Sequence, residues 1–163
     1  MITTELVKRL RDKTGISVMQ CKKALEEVGG NMEKAVALLQ KKSAEIMAKK
    51  GNRTLGSGVI ASYIHATGTV GTMVELLCET DFVAKNEEFM KLARDIAMHA
   101  TATNPKFLKS EDMTGGGQTE DVLLLQPFIK NPEITITNLV EQAVQKFGEK
   151  IEISRFVRYS VSE

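Results

Sequence analysis

The chain has 163 residues, 42% of them hydrophobic and 26% charged, and a formal net charge of +1. That length suits one ordinary core, or a small module plus a modest domain. The apolar content argues against disorder, and no apolar run approaches the length of a membrane-crossing helix. The opening Met1-Ile2-Thr3-Thr4-Glu5 lacks the basic and apolar regions of a signal peptide, so a cytoplasmic location without a membrane partner is expected.

Charge is unevenly spread. Residues 1–50 hold 11 Lys/Arg against 6 Asp/Glu, whereas residues 51–163 hold 11 against 15. A basic first third raises the question of nucleic acid. Its lysines, however, are mixed with Glu26, Glu27, Glu33 and Glu45, and no aromatic residue lies among the first 60 to stack on a base. Solvated helix faces account for them, and no direct nucleic-acid partner is expected.

Three short helices are predicted over the first fifty residues. Thr4 caps a segment with Leu6, Val7 and Leu10 on one side, ended by Gly15. Ser17 caps the next, where Val18, Cys21, Leu25 and Val28 recur at helical spacing before Gly29-Gly30. Asn31 caps a third, with Met32, Ala35, Val36, Leu38 and Leu39 as its stripe; its charged continuation from Lys41 to Lys50 is expected to outrun its packing partners. Gly51, Gly56 and Gly58 then mark a linker.

Beyond it the period changes. Residues 59–65 and 72–78 are rich in β-branched residues and flank Gly68-Thr69-Val70-Gly71, which predicts a β-hairpin. Asn86-Glu87-Glu88 begins a helix with Phe89, Leu92, Ala93, Ile96 and Ala97 on one face, fading near Asn104-Pro105. Residues 109–121, with Gly115-Gly116-Gly117, read as a flexible insert. An apolar run from Leu123 to Phe128 follows, then a helix over roughly 137–148 and a strand from Ile151 through Val161. The expected class is α+β: a three-helix module, then a core of a three-stranded antiparallel sheet packed with helices.

Catalytic chemistry finds no foothold. His65 and His99 each fall inside a predicted regular element, without Cys or carboxylate neighbours at metal-ligand spacing. Cys21 and Cys78 stand 57 positions apart and read as buried, inert thiols. The glycine triplet lacks the Lys-Ser/Thr of a phosphate loop. No catalytic residue, metal or cofactor is expected, and the chain reads as a non-enzyme.

Binding is the better direction. Thr80-Asp81-Phe82-Val83 lies between a strand and a helix, where a side chain can project from a rigid base. Phe82 is either an outward anchor for a partner or the cover of the core beneath the helix, and pattern alone favours the second. Asp81 either caps the next turn or bonds to a partner.

Two longer segments carry a resemblance. Leu10-Arg11-Asp12-Lys13-Thr14-Gly15-Ile16-Ser17-Val18-Met19-Gln20-Cys21-Lys22-Lys23-Ala24-Leu25 resembles the N-terminal motif of the elongation factor Ts family. Glu75-Leu76-Leu77-Cys78-Glu79-Thr80-Asp81-Phe82-Val83-Ala84-Lys85-Asn86 resembles its second motif, and the ending from Gln126-Pro127-Phe128 to Arg155-Phe156-Val157-Arg158-Tyr159 looks like its C-terminal region. The resemblance implies a ubiquitin-associated-like three-helix module over 1–52, a linker over 53–57 and a core exchange domain over 58–163. It implies a guanine nucleotide exchange factor that binds the GTPase domain of elongation factor Tu and promotes GDP release by disturbing its magnesium and phosphate site. Carried over residue by residue, Thr80, Asp81, Phe82 and Val83 form the segment that displaces magnesium, with Val18, Met19 and Lys22 as a second, weaker contact.

The sequence departs from the family at Gln20 and Leu77, where Asp and Asn are frequent, and at 109–121, where relatives commonly carry a longer helical insertion. Some short relatives dimerise through a cysteine that matches Val157 here, so that disulfide is excluded; a homodimer through sheet packing stays open. Two other readings compete. One is an adaptor whose module presents Ile16, Val18 and Met19 to a ubiquitin-like surface, and the other is RNA binding by the basic helices.

Overall fold

The structure, a computed structural model, describes residues 1–162 and divides into two compact units. The first holds Met1–Asn52 together with Glu141–Glu149, and the second holds Arg53–Val140 and the chain from Lys150 onward.

In the first unit three helices form, α1 (Thr4–Thr14), α2 (Val18–Glu27) and α3 (Met32–Lys49). Each begins where a small polar side chain can accept from a free N–H of the first turn, a contact that contributes about 1 kcal/mol. Thr3 accepts from Leu6, one residue earlier than the sequence placed the cap, while Ser17 accepts from Gln20 and Asn31 from Lys34. α1 stops because Gly15 adopts the left-handed conformation, φ 71°, and returns its N–H to the Arg11 carbonyl. Leu10, Cys21, Ala24, Leu25 and Ala35 are fully buried and close the small core with Val7, Ile16 and Leu39. The far half of α3 does not outrun its partners as expected. Ser43 is buried, and its hydroxyl donates to Gln145 Oε1 at 2.6 Å.

The second unit is built on an antiparallel sheet in the order β1 (Ser57–Ile64), β2 (Val70–Cys78), β5 (Glu152–Ser160). Pairing β1 with β2 sets Ile60 opposite Glu75, Ser62 opposite Met73 and Ile64 opposite Gly71. On the other side of β2, Met73 faces Val157 and Glu75 faces Arg155, with a bulge between Glu75 and Leu76. Alternation therefore gives the sheet two distinct faces. Thr72, Val74, Leu76 and Cys78 of β2 lie buried on one face, while Ile60, Ile64 and Met73 stand exposed on the other.

Covering the inner face is α5 (Glu87–Thr103), which contacts both β1 and β2. Asn86 caps it by accepting from the Glu88 N–H, and Glu87 and Glu88 place negative charge at the positive end of its dipole. Phe89, Ala93, Ile96, Ala97 and Ala100 are all fully buried along its apolar stripe. Thr101 ties helix to sheet by donating to Thr72 Oγ1 at 2.9 Å.

Between β2 and α5 lies α4 (Asp81–Ala84), and beyond α5 a short hairpin pairs β3 (Pro127–Phe128) with β4 (Asn131–Thr135) before α6 (Ile136–Phe147). Neither α4 nor this hairpin was anticipated from the sequence. Residues 109–121 contain two single 3₁₀ turns, Ser110–Asp112 and Thr119–Asp121. The two ends of this stretch are stitched together. Lys106 and Phe107 both donate to the Asp121 carbonyl, and Leu123 donates back to Phe107 O at 2.8 Å.

His99, on the buried face of α5, holds the hairpin in place. The Ile129 N–H donates to its Nδ1 at 3.1 Å, so the ring proton sits on Nε2 and is donated to Gln126 Oε1 at 2.9 Å. Burial pushes the imidazole pKa below its usual 6.5, with the Gln126 bond opposing in part. A folded-state pKa below the unfolded one means that the unfolded chain takes up the proton first. Stability is therefore full above about pH 6.5 and falls as pH drops below it. Thermal melts between pH 7.5 and 5.5 should show this loss, and a His99→Gln chain should be less stable at pH 7.5 but lack the slope in that window.

Candidate partner-binding site

The exit of β2 is tightly organised. Cys78 is the last strand residue, paired with Ser57 across the ladder, and its thiol donates to the Thr80 carbonyl at 3.2 Å. Thr80 is extended (φ −126°, ψ 153°) and its hydroxyl accepts from the Val83 N–H, which makes Thr80, not Asp81, the cap of α4. The Asp81 carboxylate turns sideways instead and accepts from the Ser57 hydroxyl at 2.6 Å. Lys85 closes the turn by donating to the Asp81 carbonyl, and Asn86 donates to Val83 O before capping α5. Strand, turn and helix thus succeed one another without a loose residue.

On such a turn adjacent side chains diverge by about 100°, so the four motif residues do not share a face. Val83 and Ala84 are buried at 5% and 7% exposure, whereas Phe82 is 86% exposed. Thr80 and Asp81 are also on the surface. The reading of Phe82 as the cover of the core is therefore wrong; Val83 and Ala84 do that work and Phe82 projects into solvent. An aromatic ring held outward on a fixed turn is well placed to enter an apolar recess on another protein, and it loses little conformational freedom in doing so.

In the first unit, Val18 and Met19 stand exposed at 51% and 68% on the opening turn of α2, with Lys22 one turn on in an i,i+4 pair with Glu26 at 3.9 Å. Ile16 does not join them. It is 5% exposed and packed in the three-helix core, so the adaptor patch of Ile16, Val18 and Met19 does not exist as expected. The buried Cys21 thiol is raised in pKa by desolvation, with the Thr14 hydroxyl and Arg11 acting against it. A raised thiol pKa means little reactive thiolate at neutral pH.

On the exposed face of the sheet the Glu75 carboxylate is held below its usual pKa by the Ser154 hydroxyl first and by Arg155 second. Among the described residues no group of three or more His, Cys, Asp or Glu converges to hold a metal ion. No helix among them is long and apolar enough to cross a membrane.

Sequence reasoning missed Ser57, and it placed His99 in its helix with a structural or surface role without finding its partners, Gln126 and the Ile129 N–H. Ser57 sits at the edge of the expected linker and carries no periodic signal. That His99 is buried and not on the surface could have been read from its place three residues after Ile96, on the same apolar stripe as Phe89 and Ala93.

A family model described as elongation factor TS matches residues 2–116, which include both motifs and the whole β2–α4–α5 junction. The chain belongs to the elongation factor Ts family. It is thus a member of a family of translation elongation factors, with a role in protein biosynthesis. Curated relatives extend the likeness over the rest of the chain. An elongation factor Ts of Carboxydothermus hydrogenoformans is 41% identical over 196 positions, covering 100% of this chain and 90% of the relative. One from Thermosipho melanesiensis is 39% identical, with both proteins covered in full. One from Thermodesulfovibrio yellowstonii is 42% identical over 99% of this chain and 97% of the relative. These alignments span about 196 positions where this chain supplies 163 residues, so the relatives carry residues within the aligned region that this chain lacks.

Proposed function

We propose that the chain is a guanine nucleotide exchange factor: it binds the GTPase domain of elongation factor Tu and drives release of GDP without itself catalysing a covalent step. The observation that carries this reading is Phe82, 86% exposed on a capped and buttressed turn in the middle of the family's second motif. The ring enters an apolar crevice between helices of the partner, and Thr80 and Asp81 make polar contacts beside it. Val83 is buried, and serves the segment by anchoring the turn from within. Val18, Met19 and Lys22 give a second contact on the three-helix unit. Shifting the partner's helices disturbs its magnesium ion and phosphate loop, which supply much of the grip on GDP. Factor and nucleotide then weaken each other's binding by the same coupling free energy, and abundant GTP refills the site and expels the factor. The place of action is the cytoplasm, where translation occurs.

Stopped-flow release of a fluorescent GDP from elongation factor Tu tests the reading directly. The intact chain should accelerate release in a concentration-dependent manner. Release at the intrinsic rate at every concentration of chain would reject it.

The outer face of the sheet supports a second element of the same reading, a homodimer. Ile60, Ile64, Met73, Val157 and Tyr159 are 40–76% exposed on this face, and all but Ile60 line a groove of about 390 Å³. An exposed cluster of apolar side chains of this kind is suited to an interaction surface. Two copies related by a two-fold axis would set it against itself, with no requirement for a cysteine at Val157. Sedimentation equilibrium should return twice the 18.0 kDa chain mass at micromolar concentration, and Met73→Lys should return a monomer.

A further inference from the structure

We infer that Ser57 is a positioning residue for the exposed turn: its hydroxyl fixes Asp81, and through it the direction in which Phe82 points. The inference rests on the exchange reading and adds a residue outside the family motif that helps to prepare the motif for docking.

The physical need is clear from the length of α4. A four-residue helix cannot hold itself together, because nucleation costs more than one turn of hydrogen bonds returns. Its geometry must come from its surroundings. Val83 and Ala84 anchor one side in the core, and the Thr80 cap and the Cys78 thiol fix the backbone at its start. The Lys85 N–H, donating to the Asp81 carbonyl, closes the backbone of the turn, but none of these contacts holds the Asp81 side chain on the exposed side, where Phe82 also lies. Ser57 supplies that constraint, from the neighbouring strand and 24 residues away in sequence.

Ser57 can do this because its own position is fixed. It is the first residue of β1 and pairs with Cys78, the last of β2. The next residue, Gly58, lies so close to β2 that a Cβ there would stand 2.5 Å from the Leu76 carbonyl oxygen. Just upstream, Arg53 Nε lies 3.5 Å from Glu79 Oε1, a carboxylate only 13% exposed. The start of β1 is thus joined to the exit of β2 at three successive places. From this frame the Ser57 hydroxyl reaches Asp81 Oδ1 and leaves Oδ2 of the same carboxylate for a donor on the partner.

A pre-ordered turn loses less entropy on docking, so removing the constraint should weaken association and leave the docked state almost unchanged. In the GDP-release assay, Ser57→Ala should raise the half-saturating concentration of the chain about two- to ten-fold, the range spanned by the net contribution of one hydrogen bond. The rate at saturation should stay as in the parent, and the thermal midpoint of the free chain should fall by only a few degrees, the folding contribution of the same bond. Ser57→Thr keeps the hydroxyl and should restore the parent value. In an Asp81→Ala background, Ser57→Ala should add nothing, because the acceptor has already gone. Phe82→Ala run alongside separates the two failures. If Phe82→Ala loses exchange while Ser57→Ala matches the parent, or if the two substitutions at 57 and 81 add independently, the positioning role is wrong and the exchange reading survives. A Phe82→Ala chain as active as the parent overturns both.

Discussion

Phe82→Ala should cut the acceleration of GDP release about ten- to one-hundred-fold at subsaturating concentrations of the chain, while leaving its own thermal unfolding nearly unchanged. Both halves follow from one number, the 86% exposure of the ring. A side chain that touches solvent over most of its surface contributes little to folding, and surface substitutions away from special features shift stability by no more than about 0.5 kcal/mol. The same ring, fully buried in a partner, removes apolar area from water worth about 1.5–3 kcal/mol, which is the stated range of rate. Phe82→Leu should recover part of the loss, since it restores apolar volume but not the flat shape. Stopped-flow traces and melting curves on one preparation check both halves. A variant that loses exchange only because it has unfolded would show the loss in both measurements.

Seven residues later the same substitution should do the opposite. Phe89 has no exposed surface and sits at the start of α5, against the inner face of β1 and β2. Phe89→Ala leaves a cavity in the middle of that layer and should cost about 3–5 kcal/mol. Domains of this size are stable by only about 5–15 kcal/mol. The midpoint of the second unit should therefore drop by about 15 °C or more, read by differential scanning calorimetry. Where the variant remains folded at low temperature, its exchange activity per folded molecule should stay close to that of the parent, because Phe89 is fully buried and presents no surface to a partner. A midpoint within a few degrees of the parent would show that α5 is not seated as described.

These two phenylalanines also show where sequence was informative. The stripe Phe89, Ala93, Ile96, Ala97 has helical period, and period is what burial on one face of a helix imposes; it located α5 and its buried side correctly. Phe82 belongs to no period. A phenylalanine between a strand and a helix is buried more often than not, so residue-by-residue reasoning pointed inward. Only the resemblance of Glu75–Asn86 to a known motif pointed outward. The inversion arises because α4 is a single turn, too short for amphipathic spacing to register, and its two inward positions are Val83 and Ala84. The β3–β4 hairpin escaped notice for a similar reason. Its strands have two and five residues, with Pro127, Asn131 and Pro132 among them, and so little alternation. The contacts that hold it, from His99 and Gln126, join residues about thirty positions apart, which no local pattern reports. Ser57 and Asp81 are a second case: each looks ordinary until the register of β1 and β2 brings them together.

The stitched neck between residues 106–108 and 121–124 gives the chain an unusual tolerance. Because Lys106, Phe107, Asp121 and Leu123 already bring the two ends of the segment together, what lies between them is paid out from a closed base and need not bridge a gap. Loop entropy grows only logarithmically, so doubling the length of such a segment costs about 0.6 kcal/mol. A helical hairpin, a fluorescent-label peptide or a whole small domain spliced between Gly115 and Gly117 would thus load the neck lightly, and the same neck lets a lineage lengthen or trim this part of the molecule almost freely. For an experimenter it is a ready port of attachment, one whose contents can change while the turn that carries Phe82 keeps its shape.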